Sequence, residues 1–371
     1  FSGCEDPSNV GLGLAPEEGT SPSRLTLPAN DVQQASFASP TGNRSTVVVG
    51  HVSDPLFGDV SALGYMDLAS PGDVPEVFGD DENEISSVVF NLRQSYLYGD
   101  TTRTAELVLH GMDSDWPAAG VSSDTALTAG EEITRVTVHP NDTLIEVPMP
   151  ESWVEEHETD LRGQNPGFTS DFDGFQLSSS DADFIQGFSA DSSYLEVTID
   201  EESASFPISK ELSTLARSED PSEIDDRVAL QAGVGPAVSM QLPLTADSLR
   251  NIVMNRARLT LPIDRETMEQ NQPADFVRPL PTRLIIYGVD ADGNRSPLYP
   301  GLLDEETDQY VFDSQELTNR LQDVILGKSN YERYLVAGST AEGVTVSPVL
   351  LVGSSSETKR PSAALTIVPV E

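Results

Sequence analysis

The chain has 371 residues, with 61 Asp and Glu against 21 Lys and Arg, and a formal net charge of −40. So acidic a surface lacks the clustered cations that phosphate recognition needs, which excludes nucleic acid as a partner. A single cysteine excludes an intramolecular disulfide, a thiolate zinc cluster and a dithiol redox pair, and no run reaches the roughly 20 apolar residues of a membrane-spanning helix.

The acids are spread along the whole length instead of forming one tail, the pattern of a solvent adaptation. At about 1 M salt the Debye length falls to about 3 Å, so self-repulsion is screened and the carboxylates keep the protein hydrated. This composition points to a halophilic protein, with a calcium-dependent extracellular protein as the competing reading. The length favours two domains or one large all-β body.

At the start, Phe1-Ser2-Gly3-Cys4 places a small residue and a glycine before the lone cysteine. This resembles the lipobox of bacterial lipoproteins, and implies lipid on Cys4 with Phe1–Gly3 as the tail of a signal peptide. The following Glu5 and Asp6 resemble the acidic signal that sends Bacteroidota-type lipoproteins to the outer face of the outer membrane, and equally fit the acid load of the chain as a whole. Residues 1–30 are rich in Gly, Pro, Ser and Glu and are expected to form a flexible tether, about 25 residues of which would reach a few tens of ångström.

Beyond the tether, Leu25 and Leu27 alternate with polar neighbours, and Thr46–Gly50 reads as a buried strand followed by a turn at His51–Gly58. Strands follow at 62–68, 85–92 and 104–110, with a turn at Tyr96–Asp100. Two more are expected at 133–138 and 143–147, then a short helix over 150–162, stopped by Gly163. Residues 172–177 and 194–199 return to strand, and the acid-rich 201–226 fits a strand, a helix or a connection. In the second half, strands are expected at 237–242, 257–263, 283–287, 331–337, 344–352 and 363–368. A short helix capped by Thr245 would carry Leu249, Ile252 and Val253, and another follows the capping pair Asp313 and Glu316. Short strands between Gly, Pro and Asp turns predict an all-β fold, an antiparallel β-sandwich or jelly roll with a few short helices. The expected units are the tether, an N-terminal domain over 31–226 and a β-rich domain over 227–371.

Candidate chemistry is sparse. His51, His110, His139 and His157 have no paired metal spacing and read as structural, and Gly233-Val234-Gly235 lacks the remainder of a dinucleotide fingerprint, marking instead a bulge or close backbone approach. Carboxylates are so frequent that no glycosidase pair can be singled out. Gly79–Glu84 and Asp290–Asn294 carry oxygen ligands suited to a structural calcium ion, but without the full EF-hand pattern they read as ordinary loops, and no cofactor is expected. Trp116, Trp153, Tyr96 and Tyr98 would suit either an aromatic sugar platform or the core, with the core favoured.

Several segments in order resemble a family of Bacteroidota-type outer-membrane lipoproteins known as a domain of unknown function. They are Cys4–Pro7, Val49–Gly58, Ile85–Leu92 with Tyr98–Asp100, Asp173–Leu177, Leu230–Gly235 and Asn255–Leu259. The resemblance implies a signal peptidase II substrate with an all-β body, and supplies no catalytic residues. The expectation is a lipid-anchored, non-catalytic accessory or binding protein at the cell surface, attached to the membrane through Cys4. Its partner would be another envelope protein or, alternatively, a polysaccharide.

Overall fold

The computed structural model describes residues 22–369 apart from 38–39, 43–44, 118, 123–124, 126, 164–171, 245–248, 250, 340–344 and 357–358. Alternating apolar residues in the first half build an eleven-stranded antiparallel sheet. Its path runs from Glu202–Arg217 through Tyr194–Ile199, Ile85–Asp100, Phe184–Ser189, Thr46–Asp54, Gly58–Leu68, Phe175–Ser180 and Ala105–Met112 to Ala129–Val138. Leu144–Pro148 and Phe276–Val277 pair with different parts of Ile85–Asp100. Glu202–Arg217 changes partner midway, from Tyr194–Ile199 to Gly58–Leu68, at a register shift between Ile208 and Lys210. That switch closes a ring of six strands, which removes their exposed edges.

Val47 and Val49 join Phe90, Phe175, Phe184, Phe188 and Phe206 in the core of this body. Val48 belongs to a second buried cluster with Val52, Val60, Tyr98 and Ile185. A strand covered on both faces needs apolar residues throughout, which is why Thr46–Gly50 reads as a continuous run.

The second half forms a nine-stranded antiparallel sheet. Its order is Ser23–Pro28, Ser362–Pro369, Ile252–Pro262, Gln309–Asp313, Arg295–Asp304, Arg283–Val289, Arg333–Gly338, Ala237–Gln241 and Asn30–Ala35. One face packs with the paired strands Arg227–Gln231 and Pro348–Val352 and with the helix Gln315–Ile325 into a single core. In that helix Leu317, Leu321 and Val324 are buried, and the Ser314 hydroxyl caps the first turn by accepting from the Leu317 amide at 3.0 Å. The whole is an all-β, sandwich-like fold with four short helices among the described residues.

Several local expectations differ. Residues 23–30, assigned to the tether, lie within Ser23–Pro28 and the start of Asn30–Ala35, and these strands join the C-terminal sheet rather than the N-terminal body. Leu25, Leu27 and Val32 supply the inward side chains that a tether would lack. The strand from Thr46 extends to Asp54, so only Pro55–Phe57 turns. Tyr96–Asp100, read as a turn, continues a strand. Gly99 adopts φ +124° there, at a bend where a Cβ would lie 2.5 Å from the Asp183 carbonyl. Ile252 and Val253 are strand, not helix, because burial alternates from Ile252 to Met254 with period two; Thr245 lies outside the described residues. The ambiguous 201–226 contains the long strand Glu202–Arg217. The cap of the last helix is Ser314, one residue beyond Asp313.

Candidate functional site

Cys4, Glu5 and Asp6 lie outside the described residues. The four aromatics considered for a sugar platform do not form one. Trp116, Trp153 and Tyr98 are buried and Tyr96 is half-buried. Trp116 donates its indole N–H to the Asp173 carbonyl at 2.8 Å, and Trp153 packs against Phe172, Phe175 and His157. These side chains bind the core together because their long apolar faces outweigh one polar tip.

The two acidic loops are closed by their own backbone. Asp80 accepts from the Glu82 amide at 3.0 Å. Asp290 accepts from the amides of Asp292 and Asn294 at 3.0 and 2.8 Å and from the Asn294 side chain at 3.0 Å. That last contact, with the amides, holds the Asp290 carboxyl below the usual carboxylate range. Among the described residues no three His, Cys, Asp or Glu side chains gather as a metal site would require.

Two other places concentrate polar chemistry. The first is the seam between the halves. Arg278 follows the short strand Phe276–Val277 and Asp54 ends Thr46–Asp54, so the two meet from opposite halves of the chain. Their side chains are 2% and 0% exposed, with Arg278 Nε and Nη2 donating to the Asp54 carboxylate at 2.7 and 3.0 Å. Asp54 also accepts from the Tyr98 hydroxyl at 2.8 Å and from the amides of Leu56 and Phe57 at 2.8 and 3.2 Å. Burial, with the neighbouring Asp54 charge, pushes the Tyr98 hydroxyl far above its ordinary pKa. Arg217 reinforces the seam by donating to the carbonyls of Phe57 and Gly235, both at 2.7 Å, and to the Gln231 side chain. Gly233, at φ +81°, passes so close to Thr345 that a Cβ would sit 2.6 Å from its carbonyl oxygen. Most of these polar groups are taken up by the protein itself, so the seam locks two bodies, and the Arg217 Nε is left buried without a hydrogen-bond partner among the described residues.

The second place is the outer face of the nine-stranded sheet. Side chains alternate along its strands, so Arg24, Arg256, Arg258, Arg283, Arg295 and Arg333 stand opposite to the core-facing Leu25, Ala257, Leu259, Leu284 and Tyr334. Six of the chain's 21 basic residues on one face make it locally cationic in a molecule of net charge −40. Register brings Arg283, Leu302, Val311 and Thr260 into one row and Pro300, Asp313, Arg258 and Ala364 into the next. Between the rows lies a concavity of about 420 Å³ walled by Pro300, Leu302 and Val311, with Arg258, Arg283, Asp304 and Asp313 as its charged groups, while the Tyr299 ring, paired with Ile286, packs toward the core. Leu302 is 56% exposed at its mouth. Asp313 is engaged by Arg256 at 3.0 Å through Nε and at 2.5 Å through Nη2. The Thr307 hydroxyl and backbone hold the Asp304 carboxyl below its usual range, with the Arg258 charge adding to the effect. Arg258 Nε is buried without a hydrogen-bond partner among the described residues.

Sequence reasoning missed Arg217, Arg278 and Arg258. The available signal was scarcity, since each basic residue in so acidic a chain marks a place where positive charge is required.

No protein-family model matches the chain, and no curated protein matches it either. A solved structure described as that of infectious bursal disease virus Gt strain aligns with 96% of this chain and 79% of its own at 9% identity. Its TM-score of 0.12 carries no argument about fold or function.

Proposed function

We propose that this chain is a lipid-anchored, extracytoplasmic protein of the bacterial outer membrane that acts by binding an envelope partner and performs no reaction. Lipid on Cys4 holds it to the membrane, and Glu5 and Asp6 direct it to the cell surface. Two or three acyl chains anchor stably, since each buried CH₂ contributes about 0.8 kcal/mol. The acid load suits a saline medium. The observation carrying the binding role is the outer sheet face, where arginines and the exposed apolar side chains of Leu302 and Val253 share one surface. Exposed apolar groups combined with the rare cations of an acidic chain are what a docking surface requires.

Fractionation and detergent pull-down of the tagged chain in high salt test this reading. Wild type should sediment with membranes and bring down a stoichiometric envelope partner, while Cys4→Ala should be released. Retention of that variant on membranes removes the anchor, and elution of wild type alone removes the accessory role.

A second reading, a carbohydrate-binding surface module, rests on one observation, the concavity with two arginines on an open sheet.

A further inference from the structure

A second concavity lies on the first body, between the opening residues of Ile85–Asp100 and the helix Glu151–Glu156. Its volume is about 530 Å³, within the about 300–1,000 Å³ typical of ligand pockets. The strand wall is an uncovered edge. Leu144–Pro148 pairs with this strand from Arg93 back to Val89, and the Met149 amide then donates to the Val88 carbonyl at 2.9 Å. Pro150 next turns the chain into the helix, so among the described residues no strand pairs with Ile85–Ser87 on that side. Unpaired backbone groups of this kind are a template for another strand. Val88 and Met149 are buried at the floor of the groove, with Ile85 and Val154 half-buried beside them. Its charged groups are the exposed Glu84, Glu151, Glu155 and Glu158, and no Lys or Arg is among the described residues that line it.

Arg162, its side chain 3% exposed, fixes the separation of the two walls. It donates to the Asp80 and Asn83 carbonyls at 3.1 and 2.5 Å, just before the strand, and to the Glu158 carboxylate at 3.1 Å through Nε and 2.8 Å through Nη2, just after the helix. The groove is therefore preformed, which lowers the cost of filling it. The clamp takes up Glu158 and leaves Glu84, Glu151 and Glu155 as the acids of the rim.

We infer that this groove takes an extended, lysine- or arginine-bearing segment of a partner protein, which adds a strand to the open edge at Ile85–Ser87 opposite the helix. Side chains alternate along such a segment, so every second one points down to Val88, Met149 and Val154, where apolar residues fit. Those between them point out at the mouth, where the glutamates favour positive charge and repel negative. The open edge is short, roughly 10 Å at about 3.3 Å per residue, so backbone pairing, floor and rim must act together. This site lies on the other body from the cationic sheet face and goes beyond the envelope-binding reading; the two surfaces select partners of opposite charge.

The test titrates the full chain carrying Cys4→Ala with a short fluorescent peptide of alternating lysine and valine, at about 0.15 M salt, and reads anisotropy. The peptide should bind, and its counterpart with glutamate in place of lysine should not. Methylating alternate backbone nitrogens of the peptide keeps its charge but removes donors, and should weaken binding about tenfold. Glu155→Lys should also weaken it about tenfold, whereas Glu269→Lys, the same change of charge at an exposed position of the second body, should leave it unchanged. Circular dichroism melting confirms that both variants remain folded, and hydrogen exchange over Ile85–Val88 should slow when the peptide is bound. No binding, or indifference to backbone methylation, overturns the inference. Equal losses from Glu155→Lys and Glu269→Lys also overturn it, reducing the effect to attraction by the net charge of −40. An envelope pull-down that yields the chain alone leaves this result untouched, since the surfaces lie on different bodies.

Discussion

Arg278→Met tests whether buried charge holds the two halves together. Methionine preserves much of the apolar stem but removes the two donors to Asp54 and those to the carbonyls of Met268 and Asn271, which lie at 2.5 and 3.0 Å. Asp54, 0% exposed, is left with the Tyr98 hydroxyl and the amides of Leu56 and Phe57. Removing one member of a buried pair costs about 3–5 kcal/mol, because the other charge remains without compensation. Pairing Arg278→Met with Asp54→Leu should recover most of that loss, since an apolar replacement of a whole buried pair is often close to neutral. Urea unfolding followed by tryptophan fluorescence and far-UV circular dichroism measures both effects. Trp116 and Trp153 belong to the first body, so a weakened seam should separate the two transitions. The loss should be similar at about 0.15 M and about 1 M salt, because mobile ions do not screen a buried pair as they do a surface one. A loss below about 1 kcal/mol, or a double variant no more stable than the single one, refutes the reasoning.

Asp264 caps the helix Arg265–Gln270 through the Thr267 amide and pairs with Arg227. Burial opposes its charge, but the Arg227 and Thr267 contacts prevail and hold its carboxyl below the usual range. Its contribution is therefore present above the unfolded value of about 3.9 and is lost as pH falls through the folded one. Asp264→Asn keeps a capping oxygen, so the variant should be less stable than wild type at neutral pH, and the gap should close in acid. A pH-independent gap in urea midpoints excludes the ion pair as its source. Gly99→Ala should cost roughly 1–3 kcal/mol, since φ is +124° and the new methyl meets the Asp183 carbonyl; a shift under about 0.5 kcal/mol contradicts the bend.

The all-β class was legible because apolar alternation survives the acid load: Ala105, Leu107 and Leu109 are buried on one face of a strand, as their spacing required. Boundaries failed where one strand serves two neighbours. Ile85–Asp100 and Glu202–Arg217 carry glycine, polar residues and proline at their bends, and these read as turns or connections although the strands continue. Arg295–Asp304 escaped notice because Pro297 and Pro300 punctuate it, with Pro297 beside a register shift that accommodates the irregularity. The contribution of Ser23–Ala35 to a sheet formed by the far end of the chain is a pairing between distant segments, which no local pattern encodes. Arg278 faces Asp54 across more than two hundred residues, so their partnership was equally hidden.

The scarcity of basic residues separates structural from ligand-binding cations. In a chain with 61 acids an arginine has partners within easy reach, so its environment reveals its purpose. Arg278 and Arg217 end on groups from opposite halves and hold the seam. Arg227, Arg256, Arg265 and Arg333 each meet a carboxylate of their own sheet or a neighbouring loop, where exposure and salt screening leave the open pairs little to contribute. Arg258, like Arg217, keeps a buried Nε without a hydrogen-bond partner among the described residues. Its nearest strand neighbour Asp313 is committed to Arg256, Asp304 is committed to its own turn, and its Nε is sealed from water beside an apolar wall. A buried N–H without an acceptor costs about 1–3 kcal/mol, so both arginines carry a cost that their other contacts must outweigh. Binding of the envelope partner should be sought on the outer sheet face because the exposed apolar side chains of Leu302 and Val253 lie there beside the arginines, where a partner could cover both.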